Sequence, residues 1–215
     1  MRTLWFTLVG LFLSLGLQAQ DEPAIKTAFE NFKTAALAQN GAAVAHSVDA
    51  PSIAHFDSLL TIILKADSTA LNALAMKDLI PILQMKLLAG PDTVRGMDGK
   101  QFLGFVASQQ LIKTGAFEYA DLGTIKIEGN QATAAYVFQE QELPVNFEFT
   151  KASDQWKFSL VKLMETGIYQ SSTMIPQQSD QKDQDQYLTD VLYYTTGLWP
   201  NMAELWQPII KKDEE

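Results

Sequence analysis

The chain has 215 residues, no cysteine, and 16 basic against 25 acidic side chains, for a formal charge of −9. Without thiols there are no disulfides, no thiolate metal sites and no lipid-bearing cysteine, so the fold has to rest on apolar burial. Nucleic acid and anionic lipid are disfavoured as partners, because both call for clustered Lys and Arg, and Arg2 and Arg95 are the only arginines.

In chain order, Arg2 gives a short positive start, Leu4 to Leu17 is an apolar run, and Ala19 precedes Asp21-Glu22. That is the three-part pattern of a secretory signal, and the run is shorter than the roughly 20 residues a bilayer span needs. The expectation is a signal peptide over residues 1–19, cleavage near Ala19, export to a periplasm or the medium, and no membrane contact afterwards. The remainder divides into an α+β domain over 20–165, a polar linker over 166–186 and a helical extension over 187–215.

From Pro23 to about Lys113 the apolar positions recur at helical spacing. Ile25, Phe29, Phe32 and Ala36 make one stripe, with Pro23 near its first turn and Asn40-Gly41 at its stop. A second helix is predicted from about Pro51 to Ala66, burying Ile53, Phe56, Leu59, Leu60, Ile63 and Leu64, with Asp49 as its cap. Asp67-Ser68 caps another that carries Leu71, Leu74 and Met76. Pro81 predicts a break or kink near Leu79-Ile80, and Gly90-Pro91 a stop. Asp98, with Gln101 three residues on, reads as a capping box for a helix carrying Phe102, Phe105, Val106 and Leu111.

After Gly115 the period changes to 2. Ile125 and Ile127 alternate with Lys126 and Glu128, and Gly129-Asn130 reads as a tight turn. Ala132, Ala134, Tyr136 and Phe138 then share a face. Leu143 to Lys151 follows, with Val145, Phe147 and Phe149 alternating with polar residues. Ser153-Asp154 turns the chain into a last strand, Gln155 to Leu163, with Trp156, Phe158 and Leu160 on one side. Four strands with short connections predict an antiparallel meander, and helices grouped ahead of strands predict an α+β fold with the helices on the sheet's apolar side. Ser171 to Gln186 is too polar to offset its ordering entropy and reads as a tether. Tyr187, Leu188, Val191, Leu192 and Tyr194 suit one helix ended by Gly197. Trp199, Met202, Leu205, Trp206 and Ile209 suit a shorter one behind Pro200.

Three stretches carry a family likeness: Val94-Arg95-Gly96-Met97-Asp98-Gly99 leading into a helix, Gly129-Asn130-Gln131-Ala132, and Asp154-Gln155-Trp156-Lys157-Phe158. With a helical front half before a meander, they resemble the NTF2-like superfamily, which also holds SnoaL-type proteins and ketosteroid isomerases. The likeness covers about Ala24 to Leu163. It implies a strongly curved sheet of four or more strands wrapped around helices, a cone whose mouth often holds a small apolar ligand. The front half is longer than the compact family pattern and the last 50 or so residues have no counterpart in it. No catalytic residue is carried over.

Several constellations have two readings. His46 and His55, near Asp49 and Asp57, have the chemistry of a metal or acid/base pair, but a spacing of nine puts the rings on opposite sides of one helix; no metal and no cofactor are expected. Arg95 suits a two-point clamp on a carboxylate ligand or an ordinary ion pair. Tyr136, Phe138, Phe147, Phe149, Trp156 and Phe158 line the sheet, facing an apolar guest or filling a core. Tyr187, Trp199 and Trp206 belong to a segment suited to a flap, an arm exchanged in a homodimer, a docking helix for a protein partner, or packing on its own domain. No Gly-x-Ser-x-Gly, Walker loop or Gly-x-Gly-x-x-Gly occurs.

Three functions follow. The first is an exported, soluble, non-catalytic binding module for a small apolar ligand or a protein. The second is an isomerase or lyase using a buried carboxylate with a Tyr such as Tyr136. The third is an assembly protein joined through its C-terminal aromatic helices. Glu128, Glu148 and Asp154 fall on the polar face or in turns, which favours the first.

Overall fold

In a computed structural model of the chain, residues 4–109, 117–166 and 183–210 are described, with side chains from residue 20 onward. Ten helices and four strands are present among them. The order is α1 (Leu4–Leu37), α2 (Gly41–Ser47), α3 (Ala50–Lys65), α4 (Ser68–Asn72), α5 (Met76–Ala89), α6 (Pro91–Val94), α7 (Gly99–Ser108), β1 (Ala120–Glu128), β2 (Gln131–Phe138), β3 (Gln141–Ala152), β4 (Gln155–Phe158), α8 (Leu160–Glu165), α9 (Gln184–Thr196) and α10 (Met202–Leu205). The fold is α+β, with helices on both sides of the sheet in sequence, and the sheet does not close. No helix among the described residues is long and apolar enough to cross a membrane.

The strands form a meander in chain order, every pair antiparallel. Registers such as Ala132↔Phe149 and Phe149↔Phe158 put one apolar file on one face. Its residues Ala132, Ala134, Tyr136, Phe147, Phe149, Trp156 and Phe158 are all buried. Helix α1 lies over that file: Phe29 meets Phe147 at 5.0 Å between ring centroids, and Phe32 stacks on Phe158 at 4.3 Å. Each such ring removed from water contributes about 1.5–3 kcal/mol, which makes this aromatic layer the centre of the core.

The other helices pack outward from there, and side-chain caps set where they begin. Asp49 accepts from the Ser52 N–H at 3.0 Å and starts α3. Asp98 and Gln101 form the expected capping box on α7. Helices α2 and α7 cross at two glycines so closely that a methyl group on Gly41 would stand 1.8 Å from the Gly104 carbonyl oxygen. On the far side, α9 buries Tyr187, Leu188, Val191 and Leu192 and packs on α5.

Five local expectations are corrected. Helix α1 continues through Pro23 instead of starting there. Asn40 caps a further helix, α2, instead of only ending the first. The segment behind Asp67 stops at Asn72, so Met76 opens α5. Helix α5 runs unbroken through Pro81: the missing N–H deprives only the Lys77 carbonyl, on an exposed residue that water reaches, and buried Leu79, Ile80, Ile82 and Leu83 hold both sides. The last strand ends at Phe158, not Leu163. Beyond it, Leu160 and Leu163 are buried at a helical spacing, and Ser52 Oγ accepts the Val161 N–H at 3.1 Å, which holds α8 against α3. Leu111, Gly115 and most of the 166–186 linker lie outside the described residues; Gln184 to Gln186 already belong to α9.

Candidate functional site

The residues singled out from the sequence fall into two places. Tyr136, Phe147, Phe149, Trp156 and Phe158 are each at most 5 % exposed and Phe138 is half-buried at the rim. Their neighbours are one another and the rings of α1, so protein side chains occupy the space beneath them. Trp156 is fixed at its polar tip as well. Asp21 Oδ1 accepts from Trp156 Nε1 at 2.9 Å and from Lys151 Nζ at 2.7 Å, and these hydrogen bonds, Lys151 first, hold the Asp21 carboxyl below its usual range.

Tyr136 differs from the rest. Its ring lies 4.7 Å from Phe147 and 6.3 Å from Phe138, yet its phenol makes no hydrogen bond to any described residue. Burial alone pushes its ionisation upward. A hydroxyl buried without a partner costs about 1–3 kcal/mol, so the Tyr136 phenol, unpaired among the described residues, differs from the Trp156 indole that Asp21 satisfies.

The second place is the C-terminal extension. Tyr187 and Trp206 are turned into the protein, and Trp206 Nε1 donates to Asp185 Oδ1 at 2.9 Å. Trp199 is 69 % exposed, as is Tyr194, and Leu198 is 47 % exposed. Tyr193 stacks on Trp199 with ring centroids 4.1 Å apart. The left-handed Gly197 ends α9 and leads the chain straight into Leu198-Trp199, which explains why these apolar side chains sit together at one corner.

The segment below this corner is clasped to the helical half. Lys86 Nζ donates to the Gln207 carbonyl at 2.7 Å, Arg95 Nη2 to the Ile209 carbonyl at 2.8 Å, and the Ile210 N–H to the Leu64 carbonyl at 2.9 Å. Arg95 thus serves the chain's own backbone. Lys86 is 4 % exposed, and desolvation pulls its ammonium down to about 8.

The carboxylates near the histidines are occupied by backbone. Asp49 caps α3, and Asp57 Oδ1 accepts the Gly99 N–H at 3.0 Å, fastening α7 to α3. His46 is exposed and its carbonyl accepts from Lys157 Nζ; His55 is half-buried edge-on to Phe56, and desolvation lowers its pKa. Among the described residues, no three His, Asp or Glu side chains converge in a way that holds a metal.

One feature escaped the sequence reading: a polar concavity of about 480 Å³ on the outer face of the sheet, lined by Thr124, Lys126, Thr133, Glu142, Leu143 and Asn146 among others. It lies where the registers of β1 with β2 and of β2 with β3 both slip. The available signals were Gly123 and Pro144, each out of place in a regular strand. Its side chains offer hydrogen bonds and one charge of each sign, without a nucleophile next to a base.

Compared with family models, with curated proteins and with solved structures, the chain matches none of them.

Proposed function

We propose that this chain is an exported, non-catalytic binding module of NTF2-like kind that recognises a protein partner through the aromatic corner around Trp199. One observation carries the reading: Tyr193, Tyr194, Leu198 and Trp199 stand 42–69 % exposed close together in sequence, whereas the other large aromatics among the described residues are buried or half-buried, Tyr119 excepted. Interface cores are enriched in Tyr and Trp because each brings a large rigid contact at little entropic cost. The filled aromatic layer under the sheet supports the choice of a protein over an apolar guest. The acidic strand residues Glu128 and Glu148 are exposed, and buried Asp49 is spent on a helix cap, which supports binding over proton-transfer chemistry. A meander laid across α1 agrees with the family proposal, and the basic, apolar and small-residue order of positions 1–19 with export.

The test is photo-crosslinking from position 199 in cells that export the full chain. A discrete adduct that disappears with Tyr194→Ala is expected. No adduct, together with unchanged partner recovery by a Trp199→Ala, Tyr194→Ala double variant, would overturn the reading.

A second reading is favoured by Tyr136 alone: a small apolar ligand with one polar group that satisfies the phenol. Its mark is a ligand-dependent change in Tyr136 absorbance that Tyr136→Phe abolishes.

A further inference from the structure

We infer that Gln20 becomes the amino terminus of the exported chain and closes on itself to pyroglutamate. The inference rests on the export reading and adds to it a covalent modification with its own readout.

The argument begins at Pro23. A proline inside a helix lacks the N–H that would reach the carbonyl four residues back, and its ring presses on that carbonyl. For Pro23 the residue four back is Ala19, so the misfit within α1 falls on the residue after which cleavage is expected. Removing residues 1–19 removes the offended carbonyl. The new start, Gln20-Asp21-Glu22-Pro23, then has the composition of a helix beginning: acids in the first turn, where the helix dipole favours them, and a proline where no N–H is missed.

The fold also fixes where the new end lies. Asp21 is held by Lys151 and Trp156, and Glu22 pairs with Lys26 at 2.9 Å, so the helix is anchored from its second remaining residue. Gln20 is exposed just outside that anchor. Its side chain is free to turn back on its own amine.

The chemistry needs no co-reactant. The unprotonated α-amine attacks its own side-chain amide carbon, the Nα–Cδ bond forms, and the Cδ–Nε2 bond breaks. A proton passes from Nα to Nε2, and ammonia leaves. The product is a five-membered lactam without the positive charge that a free amine places on the unfavourable end of the helix dipole.

The test expresses the full chain in a secreting host and determines the intact mass and N-terminal sequence of the exported protein. Expected is the mass of residues 20–215 less one ammonia, with an end blocked to stepwise degradation, whereas Gln20→Ala exports with an open end. A chain of residues 20–215 at full mass with an open end overturns the modification and leaves export standing. A chain held inside the cells with residues 1–19 attached overturns both, and an exported chain that starts elsewhere overturns the modification alone.

Discussion

Lys86 and Tyr136 are two polar side chains that the fold buries at a cost. Among the described residues Lys86 has a single carbonyl as partner, and desolvation lowers the pKa of its ammonium to about 8, against 10.5 for an ordinary lysine. Between those two values the unfolded chain holds a proton that the folded chain has released, so stability from this group rises with pH across that window. Below pH 8 the folded state carries the whole desolvation cost, on the order of 3 kcal/mol. Lys86→Met is therefore expected to flatten the gain in stability of the wild type from pH 8 to 10.5, seen as urea midpoints that no longer diverge. Tyr136→Phe removes a hydroxyl that satisfies nothing in the described structure and is expected to raise stability by about 1 kcal/mol in the same measurement. A loss of stability would mean that the phenol has a partner.

At the scale of elements, the helix crossing at Gly41 and Gly104 is the tightest constraint. Gly41→Ala drives a methyl group into the facing backbone, where no side chain can move aside, and about 1–3 kcal/mol of stability should be lost in thermal or urea unfolding. The same scale shows what the sequence made legible. The caps at Asp49, Asp67 and Asp98 are legible in the sequence, because a carboxylate next to a helix start acts locally. The meander was visible too, since alternation is a local pattern and Gly129-Asn130 and Ser153-Asp154 mark two of its turns. The remaining turn, Gln139-Glu140, takes left-handed backbone without glycine or asparagine, so nothing in its composition announced it and β3 starts earlier than expected. The start of α8 looks like strand in the sequence because Trp156, Phe158 and Leu160 alternate, whereas burial of Leu160 and Leu163 and the bond from Val161 to Ser52 are tertiary and leave no local pattern. For the candidate site, the aromatic residues were identifiable by type. Which of them face water was not, because exposure at Trp199 and burial at Trp206 depend on the direction in which Gly197 releases the chain.

For the whole molecule, the C-terminal extension acts as part of the core. Tyr187, Leu188, Val191 and Leu192 are the buried face of α9 against α5, and Trp206 is buried and bonded to Asp185 of the same helix, so a chain stopped before Asp180 bares an apolar helix face. At about 1.5–3 kcal/mol for each lost side chain, that truncation is expected to leave a chain that aggregates or unfolds cooperatively at much lower urea, not a well-behaved monomer. An intact, soluble monomer with an unshifted midpoint would contradict this. The aromatic layer between α1 and the sheet has a further consequence, this time for biosynthesis. Phe29 and Phe32 leave the ribosome long before Phe147 and Phe158 exist to receive them. The strands pair with their sequence neighbours and so assemble quickly once made. Until then the nascent chain displays a naked phenylalanine stripe, which makes it a natural client for a holdase during synthesis.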